Sequence, residues 1–253
     1  MSIYGFCNIA LIPLRARASH RSEMLTQLLF GEAYEILRFE NDWLHIRTLY
    51  DDYEGYIDRN QLALIRKSEM ETYYQNQLPL SVSSPTLLHD KRRELSFYVY
   101  PGSTLPLRDN NSIYLGAEYL VVDALPPQKT MEETLLSFMN APYLWGGRSP
   151  YGIDCSGLNQ VVFKIADIQL KRDAFQQAQQ GKLVQSIEDA RCFDLAFFNN
   201  NSGKITHTGI VYKDNTIIHS SGKVRKDKLD KQGIFNVEKE EYTHSLHSIK
   251  RFL

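Results

Sequence analysis

The sequence predicts an α+β protein in which two small β-barrels precede a third domain that contains helices. Three observations support this fold class. Short runs with apolar–polar alternation are separated by turn residues near the start of the chain, a similar order of motifs returns later, and amphipathic helical spacing follows Pro126-Pro127. The predicted domains are residues 1–66, 67–125 and 126–253.

The first barrel is predicted from strands that alternate apolar and polar residues. Such alternation runs through Tyr34–Phe39 and Trp43–Thr48, with the turn Glu40-Asn41-Asp42 between them. A further strand, Gly55–Asp58, follows an acidic turn at Asp51-Asp52. Short strands with frequent turns favour a barrel of about 60 residues over a helical bundle.

A second barrel is predicted because two motifs of the first return in the same order. Pro13-Leu14-Arg15 is matched by Pro106-Leu107-Arg108, and Gly31-Glu32-Ala33-Tyr34 by Gly116-Ala117-Glu118-Tyr119. Order and approximate spacing are similar, which indicates two related small domains. The other predicted elements of this region are strands at Leu95–Tyr100 and Glu118–Asp123 and a helical connector at Ser68–Gln75.

The third domain is predicted to begin at Pro126-Pro127, which can continue neither a strand ladder nor a helix. Thr130 and Glu133 then have the spacing of a capping box, which marks a helix start. A second helix is predicted over Leu158–Ile168, where apolar residues recur on one face.

Composition limits the function classes. The formal net charge of -1 argues against nucleic acid or an anionic membrane as partner. The stretch Lys223–Lys231 is interpreted as a solvated surface, and no apolar run reaches the roughly 18 residues of a membrane span. The three cysteines are odd in number and form no CxxC pair, which argues against a disulfide framework and a multi-cysteine zinc site. Cys7 and Cys192 are interpreted as small apolar residues. If Met1 is the natural start, we expect a cytoplasmic protein.

Cys155 is the candidate nucleophile. Glycines at 146, 147 and 152 precede it and permit close approach of a ligand. The predicted helix begins beside it, and the free amides and dipole of a helix start favour an anion. The sequence therefore predicts a lowered thiol pKa and a nucleophilic thiolate.

A thiol nucleophile needs a base and a group that orients the base. His207 and His219 lie on neighbouring predicted strands joined by Lys213-Asp214-Asn215. A two-residue turn would point them to opposite faces, whereas a three-residue loop with Asn215 in the left-handed conformation pairs Gly209 with His219. We predict the three-residue loop, or a bulge that has the same effect, with both imidazoles on one face. A zinc site of Cys155, His207, His219 and Cys192 is the competing hypothesis, although the spacing does not favour it.

These residues resemble the NlpC-type cysteine peptidases of bacterial peptidoglycan. The resemblance covers residues 126–253 and rests on four motifs, Pro142-Tyr143-Leu144-Trp145-Gly146-Gly147, Asp154-Cys155-Ser156-Gly157, His207-Thr208-Gly209 and Ile218-His219-Ser220. It implies a papain-like domain with helices packed on an antiparallel sheet. The roles it implies are Cys155 as nucleophile, His207 as base, His219 as the residue that orients the base, and Tyr143 with the Cys155 amide as oxyanion donors. It implies no metal and no cofactor.

The full chain resembles a subgroup with two bacterial SH3-like barrels before the peptidase domain. Its members, of the dipeptidyl-peptidase VI type, cleave the γ-D-glutamyl–diamino acid bond of wall peptides that begin with a free L-alanine. That resemblance implies that Glu23 and Tyr53, with Asp154 and Ser156, hold the terminal ammonium of peptidoglycan-derived peptides. With a cytoplasmic location, it implies a role in recycling wall peptides.

Two positions depart from the family pattern. Ala174 stands where the subgroup tends to have a serine, and Cys192-Phe193 stands where the family usually has Pro-Gly. Two alternative functions stay open at this point: a non-catalytic peptidoglycan-binding protein, and a thiol acyltransferase that uses an amine in place of water. The sequence makes no prediction of the oligomeric state.

Overall fold

The computed structural model describes residues 2–75, 80–107, 111–116, 118–122 and 125–253. Its chain forms two compact units, Met1–Thr134 and Leu135–Leu253. Arg108, Ala117 and Asp123, which belong to the predicted second barrel, lie outside the described residues. Within those described ranges, no helix has both the length and the apolar character needed to cross a membrane.

The first unit opens with an antiparallel sheet of seven strands. Their bounds are β1 Ile3–Phe6, β2 Leu11–Arg15, β3 Met24–Leu29, β4 Ala33–Glu40, β5 Trp43–Thr48, β6 Glu54–Asp58 and β7 Leu64–Ile65. Their order in the sheet is β3-β2-β6-β5-β4-β1-β7. A 3₁₀ turn, Arg59–Gln61, connects β6 to β7. Alternate residues of β5 are buried, as its pattern predicts, and Asn41 turns the chain between β4 and β5 with φ 50°.

Between residues 66 and 130, the described residues form one helix and six short strands. They are α1 Lys67–Gln75, β8 Leu80–Ser81, β9 Thr86–Asp90, β10 Leu95–Val99, β11 Thr104–Leu105, β12 Ser112–Leu115 and β13 Glu118–Val122. Four strands form a sheet in the order β10-β9-β13-β12, and β11 pairs with β8. The predicted connector and strands are confirmed over the described residues. Phe6 and Phe30 share one buried core with Val82, Leu88 and Leu120.

The second unit is built on another seven-stranded antiparallel sheet. Its elements, after the helix α2 at Met131–Ser137 that crosses the unit boundary, are β14 Arg148–Ser149, β15 Gly152–Ile153, α3 Cys155–Lys164, α4 Ala174–Gln177, β16 Lys182–Val184, a 3₁₀ turn at Ile187–Asp189, β17 Leu195–Asn199, β18 Ile205–Tyr212, β19 Thr216–Ser221, β20 Lys223–Leu229, β21 Gly233–Asn236 and β22 Glu241–Arg251. The order is β16-β22-β17-β18-β19-β20-β21, and β22 also pairs with β21. Helix α3 contacts β18 and β19.

The capping box predicted at Thr130 is confirmed, and the second predicted helix is present with shifted bounds. The Thr130 amide donates to the Glu133 carboxylate at 2.8 Å and the Glu133 amide donates back to Thr130 Oγ1 at 3.2 Å, which is a capping box. Helix α3 begins at Cys155, earlier than predicted, and ends before Ile168. It ends because Asp167 adopts the left-handed conformation with φ 59°, and the Ile168 amide donates to the Phe163 carbonyl at 3.0 Å.

Candidate active site

Cys155 is the first residue of α3, and one residue, Asp154, separates it from the β14–β15 hairpin. Asp154 caps the helix, since its carboxylate accepts from the Gly157 amide at 2.7 Å and from the Gly146 amide at 2.8 Å. The Ser220 hydroxyl donates to the Ile153 carbonyl at 2.7 Å, which joins this loop to β19. The segment that carries the thiol is therefore held from both sides.

Asp154 also forms a buried ion pair. Arg172, which is 1% exposed, donates through Nη1 and Nη2 to the two carboxylate oxygens at 3.1 and 2.5 Å. The same Nη1 lies 2.8 Å from the Ser156 hydroxyl. Both Asp154 and Ser156, which the resemblance assigns to the substrate ammonium, are buried and bonded within the protein. Their observed contacts fix the helix start.

The predicted lowering of the Cys155 pKa is wrong. Burial is the largest influence and, with the nearby Asp154 carboxylate, raises the pKa of the thiol to about 12. Backbone hydrogen bonds with Thr208 and Ser156 and the charge of Arg172 oppose this only partly. The sequence shows the helix start but not how deeply tertiary packing buries it. The resting thiol is therefore protonated at neutral pH.

The predicted three-residue hairpin loop is confirmed. Tyr212 pairs with Thr216 and Ile210 with Ile218, and both Asp214 and Asn215 adopt the left-handed conformation, with φ 57° and 53°. His207 and His219 consequently share one face, with His207 Nε2 2.8 Å from His219 Nδ1.

The position two residues after His207 has room only for a glycine, Gly209. A Cβ atom at this position would lie 2.7 Å from the Cβ of His219, which is closer than real Cβ contacts. Any side chain here would push β19 or the His219 ring away. The glycine thus allows the two imidazoles to approach.

The hydrogen-bond chain continues beyond the two imidazoles. His219 Nε2 lies 3.0 Å from Asp227 Oδ2, and Arg225 binds Asp227 through Nε at 2.7 Å and Nη2 at 3.0 Å. Burial alone would raise the pKa of Asp227, but hydrogen bonds from His219 and Arg225 lower it to about 2. This carboxylate is therefore ionised at neutral pH.

Asp227 and Arg225 correct the interpretation of Lys223–Lys231 as a solvated surface. Asp227 is buried and Arg225 is half-buried on β20, although their neighbours Lys226 and Lys228 are exposed. Residues two apart on a strand point to the same face. The spacing of Arg225 and Asp227 was therefore the sequence signal that this charged pair faces inward. The lysines between them conceal that signal in a charge count.

His207 lies in an apolar and aromatic surrounding. Burial, followed by the proximity of His219 and His244, lowers its pKa well below 6.5. The His244 ring stacks on His207 with centroids 4.2 Å apart, and burial lowers the pKa of His244 to about 4. His207 is therefore a neutral imidazole at pH 7. Because Nε2 faces His219, Nδ1 is the nitrogen available to a thiol.

Buried amides hold α3 against β18. Asn159, one turn beyond Cys155, donates to Thr208 Oγ1 and to Gln177 Oε1, each at 3.0 Å. Gln177 donates in turn to the Ser156 carbonyl at 3.0 Å. These contacts connect the helix of the thiol to the residue that follows His207. The sequence gives no signal for this network, because polar residues on a helix do not by themselves indicate burial.

Tyr143 lies beside the same centre. Its amide donates to the Gly222 carbonyl at 3.0 Å, and it bridges to Ile153 next to the helix start. Burial, followed by the proximity of Cys155 and Asp154, raises the pKa of Tyr143 to about 12. The phenol therefore keeps its proton and can donate a hydrogen bond.

The chain matches known proteins over both units. Residues 140–244 match the NlpC/P60 family, and residues 14–62 match the bacterial dipeptidyl-peptidase Sh3 domain. The chain is 30% identical over 220 residues to the gamma-D-glutamyl-L-lysine dipeptidyl-peptidase of Bacillus subtilis. The aligned region covers 77% of this chain and 71% of that protein.

The chain belongs to the NlpC/P60 family. It is a cysteine peptidase that also carries an SH3 domain. It is 26% identical over 251 residues to dipeptidyl-peptidase 6 of Lysinibacillus sphaericus, over 87% of this chain and 89% of that one. A crystal structure of an NlpC/P60 family protein from Bacillus cereus has the same fold, with a TM-score of 0.80, 19% identity and 99% of each chain covered.

The SH3 domain of this NlpC/P60 peptidase places Glu23 and Tyr53 at one end of its sheet. Strands β3 and β6 both pair antiparallel with β2, where Arg15 has Met24 and Tyr56 as its partners. Both strands therefore enter the sheet at the same end. Glu23 directly precedes β3 and is exposed, and Tyr53 directly precedes β6 and is half-buried.

The remaining cysteines and the two departures from the family pattern lie in different surroundings. Cys7 is buried, as expected of a small apolar residue, whereas Cys192 is exposed. Ala174 is the buried first residue of α4, and Phe193 adopts the left-handed conformation with φ 71°, which glycine adopts more readily. Among the residues that the structure describes, no group of three or more His, Cys, Asp or Glu side chains is placed to hold a metal ion.

Proposed function

We propose that this NlpC/P60 peptidase hydrolyses the γ-D-glutamyl–diamino acid bond of peptidoglycan-derived peptides that begin with a free L-alanine. The observation that carries the proposal is the buried pair of His207 and His219, 2.8 Å apart, on the strands that pack against the helix of Cys155. The relative from Bacillus subtilis is named for activity on a γ-D-glutamyl-L-lysine bond. We assign Cys155 as nucleophile, His207 as general base and His219 as the residue that orients it.

The first step is attack by the thiol on the γ-glutamyl carbonyl. Because burial keeps the resting thiol protonated and His207 neutral, the proton moves to His207 as the sulfur attacks. Tyr143 and the amide of Cys155 donate to the developing oxyanion. Each such donor typically lowers the barrier by about 3 kcal/mol.

The second step releases the diamino acid. His207, now protonated, gives its proton to the leaving amine as the C–N bond breaks, which leaves a thioester on Cys155. His207 then takes a proton from water as the hydroxide attacks the thioester, the C–S bond breaks to release L-Ala-D-Glu, and His207 returns the proton to the sulfur. No metal or cofactor takes part in these steps.

Recognition of the free amine is proposed to involve Glu23 and Tyr53. A carboxylate and a phenol can accept hydrogen bonds from an ammonium, and the carboxylate balances its charge. Their place at one end of the SH3 sheet supports a shared task. Asp154 already accepts from Arg172 and two amides, so we propose that it mainly fixes the helix start, while direct ammonium contact by Asp154 or Ser156 stays a prediction.

We also propose that the second half of the first unit is a second SH3-like barrel, so that the domains are residues 1–66, 67–125 and 126–253. Two glycines of the repeated motifs support this, because they occupy reciprocal positions. Gly31, with φ +80°, leaves no room for a Cβ, which would lie 2.0 Å from the Thr104 carbonyl oxygen. Gly116, with φ +59°, is blocked in the same way by the Leu64 carbonyl oxygen at 2.3 Å.

A requirement for a free L-alanine amine has a consequence for the role in the cell. Such an enzyme acts on released peptides, since in intact wall polymer this amine is bound. We therefore propose that the peptidase recycles wall peptides in the cytoplasm.

The direct test compares two cysteine variants on L-Ala-γ-D-Glu-diamino acid peptides. Cys155→Ala removes the proposed nucleophile. We therefore expect that its hydrolysis products fall below the detection limit of mass spectrometry. Cys192→Ala is the matched control, because Cys192 is an exposed cysteine outside the described site. Full activity of Cys155→Ala would show that the mechanism is wrong. A product that contains an added amine would reveal acyl transfer by the unsubstituted enzyme.

A further inference from the structure

The carboxylate beyond the two imidazoles is as buried as the histidine that it contacts. The side chains of His219 and Asp227 are each 1% exposed and their atoms lie 3.0 Å apart. We propose that Asp227 is a positioning residue that acts through His219 to fix the tautomer of His207, so that His207 offers its unprotonated Nδ1 to Cys155. This inference rests on the proposed role of His207 as base.

The direction of the hydrogen bonds follows from the surroundings of Asp227. Arg225 donates to both of its oxygens, at 2.7 and 3.0 Å, and the Val237 amide donates to Oδ1 at 3.3 Å. A carboxylate with these donors is an acceptor only. The proton between Asp227 and His219 therefore lies on His219 Nε2.

Each ring then determines the next. With Nε2 protonated, a neutral His219 leaves Nδ1 bare, so the 2.8 Å contact requires a proton on Nε2 of His207. A neutral His207 with that proton has a bare Nδ1, which is the form that can take a proton from a thiol. If the Asp227 contact were reversed, the tautomers of both rings would reverse, and His207 would carry its proton on Nδ1 and could not act as the base.

Arg225 keeps Asp227 in this arrangement. Its guanidinium also binds Glu238 at 3.0 Å and the Asn236 side-chain oxygen at 3.1 Å. The guanidinium is thus held by two side chains besides Asp227. Because Arg225 occupies both oxygens, the carboxylate cannot be replaced by an amide without a mismatch.

Asp227→Asn tests this arrangement with little change in shape. An amide NH₂ at the Oδ1 position would face two donors, Arg225 Nη2 and the Val237 amide. At the Oδ2 position it would face the Arg225 Nε donor as well as His219, and its donation to Nε2 of His219 would force the wrong tautomer on both rings. We expect a kcat loss of about 10³- to 10⁴-fold with little change in KM, the scale seen when a tautomer-setting carboxylate is neutralised.

Asp230→Asn is the matched control. Asp230 lies one residue beyond β20 and binds the Tyr242 hydroxyl and the Gln232 amide rather than an imidazole. We expect its kcat to stay within twofold of the unsubstituted enzyme. A kcat of Asp227→Asn within threefold of the unsubstituted enzyme would overturn the proposal.

Nitrogen NMR of the unsubstituted full chain, with ¹⁵N-labelled histidine at neutral pH, tests the tautomers without any peptide. We expect a bare Nδ1 and a protonated Nε2 on both His207 and His219. A proton on Nδ1 of His207, or two protons on His219, would overturn the proposal. This readout stands if Asp227→Asn does not fold, and it separates failure of this inference from failure to cleave wall peptides.

Discussion

The thiol and the base of the candidate site are both in their neutral forms. Burial raises the pKa of Cys155 to about 12 and lowers that of His207 well below 6.5, so neither shift favours a thiolate–imidazolium pair at rest. The charge that forms during attack must therefore be stabilised in the transition state. Tyr143, which keeps its proton, and the amide at the start of α3 are the groups available for this.

The raised thiol pKa predicts the pH dependence of alkylation. A thiol is alkylated as thiolate, and well below its pKa the thiolate fraction rises about tenfold for each pH unit. In Cys192→Ala protein, we expect iodoacetamide modification of Cys155, read by peptide mass mapping, to keep rising between pH 7 and 10. The urea-unfolded chain is the control and should level off above its ordinary pKa of about 8.5. A plateau near pH 7 in the folded protein would show a preformed ion pair instead.

The sequence predicts which residues form the candidate site, but it does not predict how deeply they are buried or how burial shifts their pKa values. Cys155 and the two histidines stand out because of glycines, turn residues and spacing that operate locally. Asp227 does not, since lysines surround it and only the pairing of β19 with β20 buries it. The thiol pKa depends on packing of α3 against β18, which spacing cannot measure.

The β18–β19 hairpin is the element that brings the two imidazoles together. Its strands were predictable because alternation and a polar turn are local signals. The register was predicted from the requirement that the two histidines share one face, which a three-residue loop or an equivalent bulge satisfies. The structure adds that Asp214 joins Asn215 in the left-handed conformation, so the turn depends on two residues that tolerate positive φ.

Substitution of Asn215 tests the hairpin. Asn215→Val places a β-branched residue at φ 53°, which costs about 1–2 kcal/mol for an ordinary L-residue. We expect amides of β18 and β19 to exchange with deuterium about 5- to 30-fold faster. Asn215→Gly is the control and should leave exchange unchanged or slower. Equal exchange in both variants would contradict the role given to this loop.

The elements of the first unit were also predictable where alternation was clear. Strand β5 matches its predicted bounds, and β4 and β6 extend them by one or two residues. Helix α3 was predicted too far along the chain. Its apolar stripe continues past Lys164, but the left-handed Asp167 ends the helix, and no propensity argument identifies that residue.

At the scale of the whole molecule, the chain combines a peptidase unit with a unit that contains the SH3 domain. The match to the bacterial dipeptidyl-peptidase Sh3 domain spans both Glu23 and Tyr53. Such a domain can restrict a hydrolase to substrates with a free end, because a buried ammonium needs an acceptor and an opposite charge. We propose that catalysis by Cys155 requires the free amine of the substrate.

The measurement that tests this claim most directly is mass spectrometry of products from L-Ala-γ-D-Glu-diamino acid, beside the same peptide with its alanine amine acetylated. We expect release of L-Ala-D-Glu from the free peptide only, and a weaker preference in Glu23→Gln, which removes the charge without changing the shape. Equal cleavage of both peptides would contradict the amine requirement. No cleavage of either would contradict the proposed substrate.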